Sequence, residues 1–345
     1  MTRRRVTSQD VADLAGVSRT TVSFVLNETS GMRIGAATRQ RVLRAARRLK
    51  YHPDATARRM AGGRTFILGF VLRQSPEQAF TDHFLPQVLT GLSCAAAEHD
   101  YHILFEAIPP GDHSGAYARL IRERHVDGIV LSGPRSDDRE LFAIAAEGAP
   151  IVLMGKLSNS RIPSVDVDNI KSAAMATHHL IQSGHRRIGI ITNAPVAYTA
   201  SADRLKGYRR ALDEAGISYD ESLVSYGNFT PQSGLVAMKK LLAPKHIPTA
   251  VFVASDTVAL GALQELSRRN LRVPQDISLI GCDDIPLAEF IDPPLTTVRL
   301  PASDLGRSAA NLLISLLGGE KNADREVLLN TELIVRSSTA PLAFK

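Results

Sequence analysis

The sequence predicts an all-α helix-turn-helix head, a short linker helix and an α/β core of two doubly wound lobes. Three observations predict this. Residues 6–26, VTSQDVADLAGVSRTTVSFVL, read as two short helices joined at Gly16. Residues 1–64 hold 14 Lys+Arg against 4 Asp+Glu, and the remainder holds 27 against 31, so a basic head precedes a mildly acidic body in a 345-residue chain of net charge +6. From Phe66 onward short apolar runs alternate with helical patterns, as parallel sheets covered on both faces require.

The head is the most explicit stretch. Thr7 is placed to cap the first helix, and Asp10 three residues on completes a capping box. Val11, Leu14 and Ala15 share one face, and Ala12 is small enough to admit a second helix. Gly16 supplies the left-handed residue that ends the first helix. Ser18 then caps the second, whose inner stripe is Val22, Val25 and Leu26. Arg19, Thr20, Ser23, Phe24 and Asn27 are left facing outward. A basic residue with hydroxyls at a helix N-terminus suits phosphates and base edges. An ordinary helical hairpin in a larger core fits the spacing too, and the charge asymmetry favours the nucleic-acid reading.

A third helix is expected over Ala36–Lys50, with Val42, Leu43, Ala46 and Leu49 inward and its arginines largely exposed. Asp54 is placed to cap a fourth, 54–61, which Gly62 and Gly63 stop. So short a helix frays without a partner. It reads equally as a plain linker or as a basic wedge that presses Met60, flanked by Arg58 and Arg59, into a minor groove.

In the body the strand candidates are 66–72, 101–107, 128–132, 150–155, 187–192, 250–255 and 278–283. Helical patterns include Leu85–Ala97, Tyr117–Arg124, Ala173–Ser183 and Thr257–Arg269. Ligands in such folds sit beyond the carboxyl ends of the strands, which directs attention to 74–84, Gly155, Asn193 onward, Ser255, Asp256, Asp283 and Asp284. Two cysteines, Cys94 and Cys282, provide neither a disulfide framework nor metal-ligand spacing. No signal-peptide core follows Arg3–Arg5 and no apolar run reaches membrane-spanning length, so a cytoplasmic protein without membrane partners is expected. His178 and His179 lack a second ligand pair and read as structural. No Walker loop, HExxH or GxSxG motif is present, and neither turnover nor a cofactor is expected.

The strings VTSQDVADLAGVSRTTVSFVLN, KYHPDATARRMAGG, VDGIVLSG, HHLIQSGHRRIGIIT, SADRLKGYRRAL, FVASDTVALGAL and RVPQDISLIGCDDIPLAEFIDPPLTTV, in this order, resemble the LacI/GalR family of bacterial transcription repressors across nearly the whole chain. The resemblance implies a homodimer on a palindromic double-stranded DNA operator, with the second helix of each head in a major groove. It assigns base reading to Arg19 and Thr20 and phosphate contacts to Thr21, Ser23 and Asn27, and it extends the DNA surface to Thr7, Ser18 and Phe24. Phe24 stands where relatives often carry a polar reader; it suits a thymine methyl and cannot pair bidentately with guanine. The 54–61 segment becomes a hinge helix, with Ala57, Arg58 and Met60 at the minor groove. The divisions implied are 1–53 for the head, 54–64 for the hinge, 65–162 plus 295–323 for one lobe and 163–294 plus 324–340 for the other, the lobes being periplasmic-binding-protein-like. Chain crossings are placed near Pro163, Pro293–Pro294 and Asp324–Arg325. The absence of a leucine heptad tail favours a dimer over a tetramer, with contacts on Leu85–Ala97 and on Thr257–Arg269, whose apolar stripe reads equally as a core face.

By the same resemblance an effector occupies the cleft at Phe80, Asp82, Phe84, Lys156, Tyr198, Arg204, Phe229, Ser255, Asp256 and Asp283. Aromatic faces with Asp and Arg suit a sugar or sugar derivative. Lys156 points to an anionic effector or is a surface lysine; Asp256 binds the effector or caps the helix that follows it. A purine or phosphoprotein co-effector is the alternative for the regulator, and a solute receptor that binds no DNA is the alternative class.

Overall fold

The computed structural model describes residues 6–26, 34–51, 64–111, 115–158, 160–243, 247–320 and 325–342. The chain divides into two compact units, residues 1–65 and 66–345. In the first, α1 (Ser8–Ala15), α2 (Arg19–Leu26) and α3 (Ala36–Leu49) close around Val11, Ala12, Ala15, Val22, Val25, Val42, Ala45 and Ala46. Thr7 and Asp10 form the reciprocal capping box, with Thr7 N–H donating to Asp10 Oδ2 at 2.8 Å and Asp10 N–H to Thr7 Oγ1 at 3.3 Å. Gly16 ends α1 at φ 64°, so the chain reverses within three residues before α2 begins. Leu14, expected inside, is 45% exposed. Val11, Ala12 and Ala15 centre the buried face, and Leu14 lies roughly a quarter-turn outside it. The segment expected to form helix 54–61 lies outside the described residues.

The second unit contains two six-stranded sheets. The first has the order β11-β5-β4-β3-β1-β2, formed by β1 (Ile67–Leu72), β2 (His102–Ala107), β3 (Gly128–Ser132), β4 (Ile151–Met154), β5 (Ser164–Val167) and β11 (Glu326–Leu329), all parallel. The second has the order β12-β10-β9-β8-β6-β7, formed by β6 (Ile188–Thr192), β7 (Val224–Tyr226), β8 (Ala250–Val253), β9 (Ser278–Asp283), β10 (Thr296–Arg299) and β12 (Glu332–Ile334). Only β12 runs antiparallel, against β10. The central strands are apolar throughout because helices bury both faces. In each sheet the order reverses beside the first strand, β1 or β6, and a crevice opens there at the carboxyl ends.

The crossings fall later than those expected near Pro163, Pro293–Pro294 and Asp324–Arg325. β5 follows Pro163 yet pairs with β4, β10 follows Pro294 yet pairs with β9, and β11 follows Arg325 yet pairs with β5. The chain therefore changes lobe between Val167 and Asn169, between Arg299 and Ala302, and between Leu329 and Glu332. At each place the strand that follows still belongs to the sheet on that side.

Three helix pairs pack at very close range, one of them Asn169–Gln182 with Thr199–Glu214 through Gly207. α5 (Leu85–Glu98) lies on α12 (Ala302–Gly318), and α10 (Pro231–Leu241) on α11 (Asp256–Arg268). A Cβ on Gly91 would come within 1.7 Å of the Ser303 carbonyl oxygen, and one on Gly261 within 1.6 Å of that of Pro231. Within the stripe considered for dimer contact, Ala259 and Leu266 are buried in the core, whereas Leu260 and Leu263 are only half-buried. His178 Nε2 lies 2.9 Å from Glu214 and His179 Nε2 3.0 Å from Thr339 Oγ1, both within the second lobe. Among the described residues no helix is long and apolar enough to cross a membrane. Gly261→Ala must separate α10 from α11, and a loss of about 1–3 kcal/mol is expected from overpacking, read as a lowered midpoint in urea unfolding.

Candidate DNA-reading helix and effector cleft

The reading helix is set by its cap. Ser18 Oγ accepts from Thr21 N–H at 3.1 Å and lies 3.0 Å from Thr21 Oγ1, so both side chains are engaged in starting α2. Arg19 and Thr20 are exposed in the first turn, while Thr21, Ser23 and Phe24 are half-buried. Thr7 is exposed at the start of α1. Asn27, Ala57, Arg58 and Met60 lie outside the described residues.

In the body a cavity of about 120 Å³ lies between the carboxyl ends of the two sheets. Asp82, Phe84, Tyr198, Arg204, Phe229, Ser255 and Asp283 line it. Three candidates do not. Phe80 is 77% exposed and rests edge-on against Phe105, with ring centroids 5.7 Å apart. Lys156 Nζ is 2.6 Å from Glu326 Oε2 on the surface, so the cleft receives no lysine from this position. Asp256 is fully buried at the start of α11, where Oδ1 accepts from Thr297 Oγ1 at 2.7 Å and Oδ2 from Ile285 N–H at 3.1 Å. Its carboxylate holds three elements together rather than facing the cavity. Five further polar residues line the cleft: Gln74, Ser132, Asp166, Asn169 and Asn193. Gln74 and Asn193 fall in the segments after strands where ligand contacts were sought; Asp166 lies in β5, a strand the sequence patterning missed.

Arg204 is 6% exposed on α9 (Thr199–Glu214). Its Nε donates to Asn169 Oδ1 at 2.9 Å and its Nη1 to the Ala254 carbonyl at 2.6 Å, and Nη1 stands 4.0 Å from Asp283 Oδ1. Burial raises the Asp283 carboxyl well above the usual range; Arg204 opposes that rise, and Asp256 and Asp82 reinforce it. Desolvation also pushes Asp82 and Asp166 up to about 6, against the backbone N–H bonds that Phe84 and Val167 donate to them.

The lobes touch on both sides of the cavity. Tyr198 OH donates to the Arg73 carbonyl, and its ring meets Phe229 edge-on with centroids 5.0 Å apart. Arg135 lies 4.7 Å over the same ring, and Ser136 N–H donates to the Ala197 carbonyl at 2.9 Å. Opposite, His83 N–H donates to Thr257 Oγ1 at 3.3 Å. Behind the Tyr198 contact Arg73 is itself fixed, its Nε 2.9 Å from Asp138 Oδ2 and both side chains buried. Tyr117 OH donates to that same oxygen at 2.7 Å.

A capped helix-turn-helix head joined to a two-lobed body, with an interlobe cavity that sets Arg204 and three aspartates among apolar and aromatic walls, defines a ligand-gated DNA-binding regulator. Residues 7–54 match the model described as bacterial regulatory proteins, lacI family, and residues 177–339 match a periplasmic binding protein-like domain. The HTH-type transcriptional regulator CelR of Thermobifida fusca is 37% identical over 339 residues, covering 97% of this chain and 99% of that protein. The repressor CytR of Escherichia coli K12 is 34% identical over 97% of each chain. The lac repressor dimer bound to operator and the anti-inducer ONPF superposes with a TM-score of 0.84 at 27% identity, covering 98% of this chain and all of that one. The CelR–cellobiose complex does so at 0.73 over 97% of this chain and all of that one. The chain belongs to the LacI family of bacterial transcriptional regulators.

Two outcomes follow from the cleft charges. Arg204→Met leaves Asp283 buried and uncompensated, and a loss of roughly 3–5 kcal/mol at pH 7 is expected, measured by urea unfolding. The Asp82 carboxyl, at about 6 in the fold and about 3.9 when unfolded, holds its proton more tightly in the native state. The stability this brings is complete below the unfolded value and lost as pH rises through the folded one. Asp82→Asn is therefore expected to be more stable than the parent at pH 7, with the difference vanishing near pH 4.

Proposed function

We propose that this protein is a cytoplasmic repressor that binds a palindromic operator as a dimer and responds to a sugar or sugar derivative held in the interlobe cleft, without turning it over. The observation that carries the reading is the Arg204–Asp283 pair facing a cavity walled by Phe84, Tyr198 and Phe229. Charged hydrogen-bonding groups and ring faces are what a pyranose needs, its vicinal hydroxyls meeting the first and its apolar side the second. The cellobiose complex of CelR is the relative that supports a carbohydrate.

In this reading Arg19 and Thr20 read bases, and Thr21, Ser23 and Asn27 hold phosphate, with Thr7, Ser18 and Phe24 on the same surface. Ala57, Arg58 and Met60 serve the minor groove. Asp82, Phe84, Tyr198, Arg204, Phe229, Ser255 and Asp283 bind the effector. The effector acts by preferring one interlobe angle and so shifting the population of operator-competent dimers.

The test is a gel shift on a palindrome selected from random DNA, titrated with neutral sugars. Arg19→Ala is expected to weaken binding about 5- to 150-fold, the worth of one base contact. Asp283→Asn is expected to keep operator affinity and lose the response to sugar. A protein that selects no palindrome, with or without sugar, refutes the assignment.

A further inference from the structure

Gln74 stands two residues beyond β1 and Asn193 one residue beyond β6. These are the first strands of the two sheets, each next to the point where strand order reverses, so the two amides hold matching places on opposite lobes. Both line the cavity, and they are 5% and 7% exposed. Gln74 Oε1 and Asn193 Oδ1 nonetheless have no hydrogen-bond partner among the described residues. A buried carbonyl acceptor left unpaired lowers stability, and here two belong to residues that line the same cavity.

The charges around them narrow what would satisfy them. Asp82, Asp166 and Asp283 line the cavity against Arg204, whose Nε and Nη1 already donate to Asn169 and Ala254. Three carboxyl groups thus stand beside one cation, and two amide oxygens lack a donor. A molecule rich in O–H groups supplies donors, whereas a phosphate or carboxylate adds negative charge and further acceptors.

We propose that Gln74 and Asn193 are the specificity residues of the effector site: each accepts a hydrogen bond from an uncharged, polyhydroxylated ligand, one from either lobe, and the surrounding carboxylates exclude its phosphorylated and oxidised derivatives. This deepens the effector reading above and rests on it. It also has a consequence that a packing role lacks. Removing either orphaned acceptor improves the free protein while it weakens the ligand.

The experiment is calorimetric titration and thermal melting of the full chain and of Gln74→Met and Asn193→Leu. The probes are glucose, cellobiose, maltose and ribose beside glucose 6-phosphate, ribose 5-phosphate, gluconate and cellobionate. At least one neutral sugar is expected to bind, with its charged derivative at least ten-fold weaker. Each substitution is expected to weaken that sugar about 5- to 100-fold, as loss of a buried hydrogen bond does, while the unliganded Tm stays level or rises. Equal affinity for a sugar and its charged derivative, unchanged sugar affinity in both variants, or a lowered unliganded Tm in both, overturns the proposal and leaves the effector reading standing. Binding of none of these compounds overturns both.

Discussion

Arg204 is the cation against which the cleft is balanced. Its guanidinium lies where Asp82, Asp166 and Asp283 converge from both lobes, and backbone and amide oxygens hold it in place. A buried cation of this kind is costly to desolvate and is retained because neighbouring anions need it. The carboxylates are in turn raised by burial, and the one guanidinium offsets that rise only in part. The cleft is thus electrically unfinished, and a ligand that supplies hydrogen-bond donors completes it.

That incompleteness connects binding to motion. Among the described residues the interlobe contacts beside the cavity are scattered and polar: the Tyr198 hydroxyl on the Arg73 carbonyl, the 134–136 loop against Ala197 and Thr199, Gln78 on the Asn228 carbonyl, and His83 against Thr257. Each lobe, by contrast, is held within itself by glycine-mediated helix packing and by a continuous apolar sheet. An element that opens is expected where contacts are sparse and polar. The division between rigid lobes and a thin contact rim therefore locates the bistable part of the molecule.

How much of this could be read in the sequence depended on whether the cause was local. The capping box at Thr7 and Asp10 and the turn at Gly16 involve residues within one helix turn, and the structure reproduces both. Strands such as 128–132 and 278–283 are legible to the residue because burial on both faces leaves their interiors apolar. β5, SVDV, and β10, TTVR, were not, since each is short and interrupted by polar residues. Their sheet membership depends on partners distant in sequence. The same distinction governs the cleft. Positions after strands were found, but Lys156 was lost to Glu326, 170 residues away, and Asp256 to Thr297 and Ile285. Phe80 lies on the short helix Pro76–Thr81 and packs outward on Phe105. An unpaired amide such as Asn193 has no sequence signature, because orphaning is a property of the surroundings.

The third chain crossing limits how the lobes can rearrange. β11 ends at Leu329 and β12 begins at Glu332, in different sheets, so Asn330 and Thr331 alone join them. Two residues offer about four soft torsions, and Thr331 Oγ1 is further tied to Ser172 Oγ at 2.9 Å. A joint so short works as an axle: it permits rotation about itself and forbids translation. Any effector-driven change must then be a pivot whose largest excursion lies at the rim farthest from Asn330.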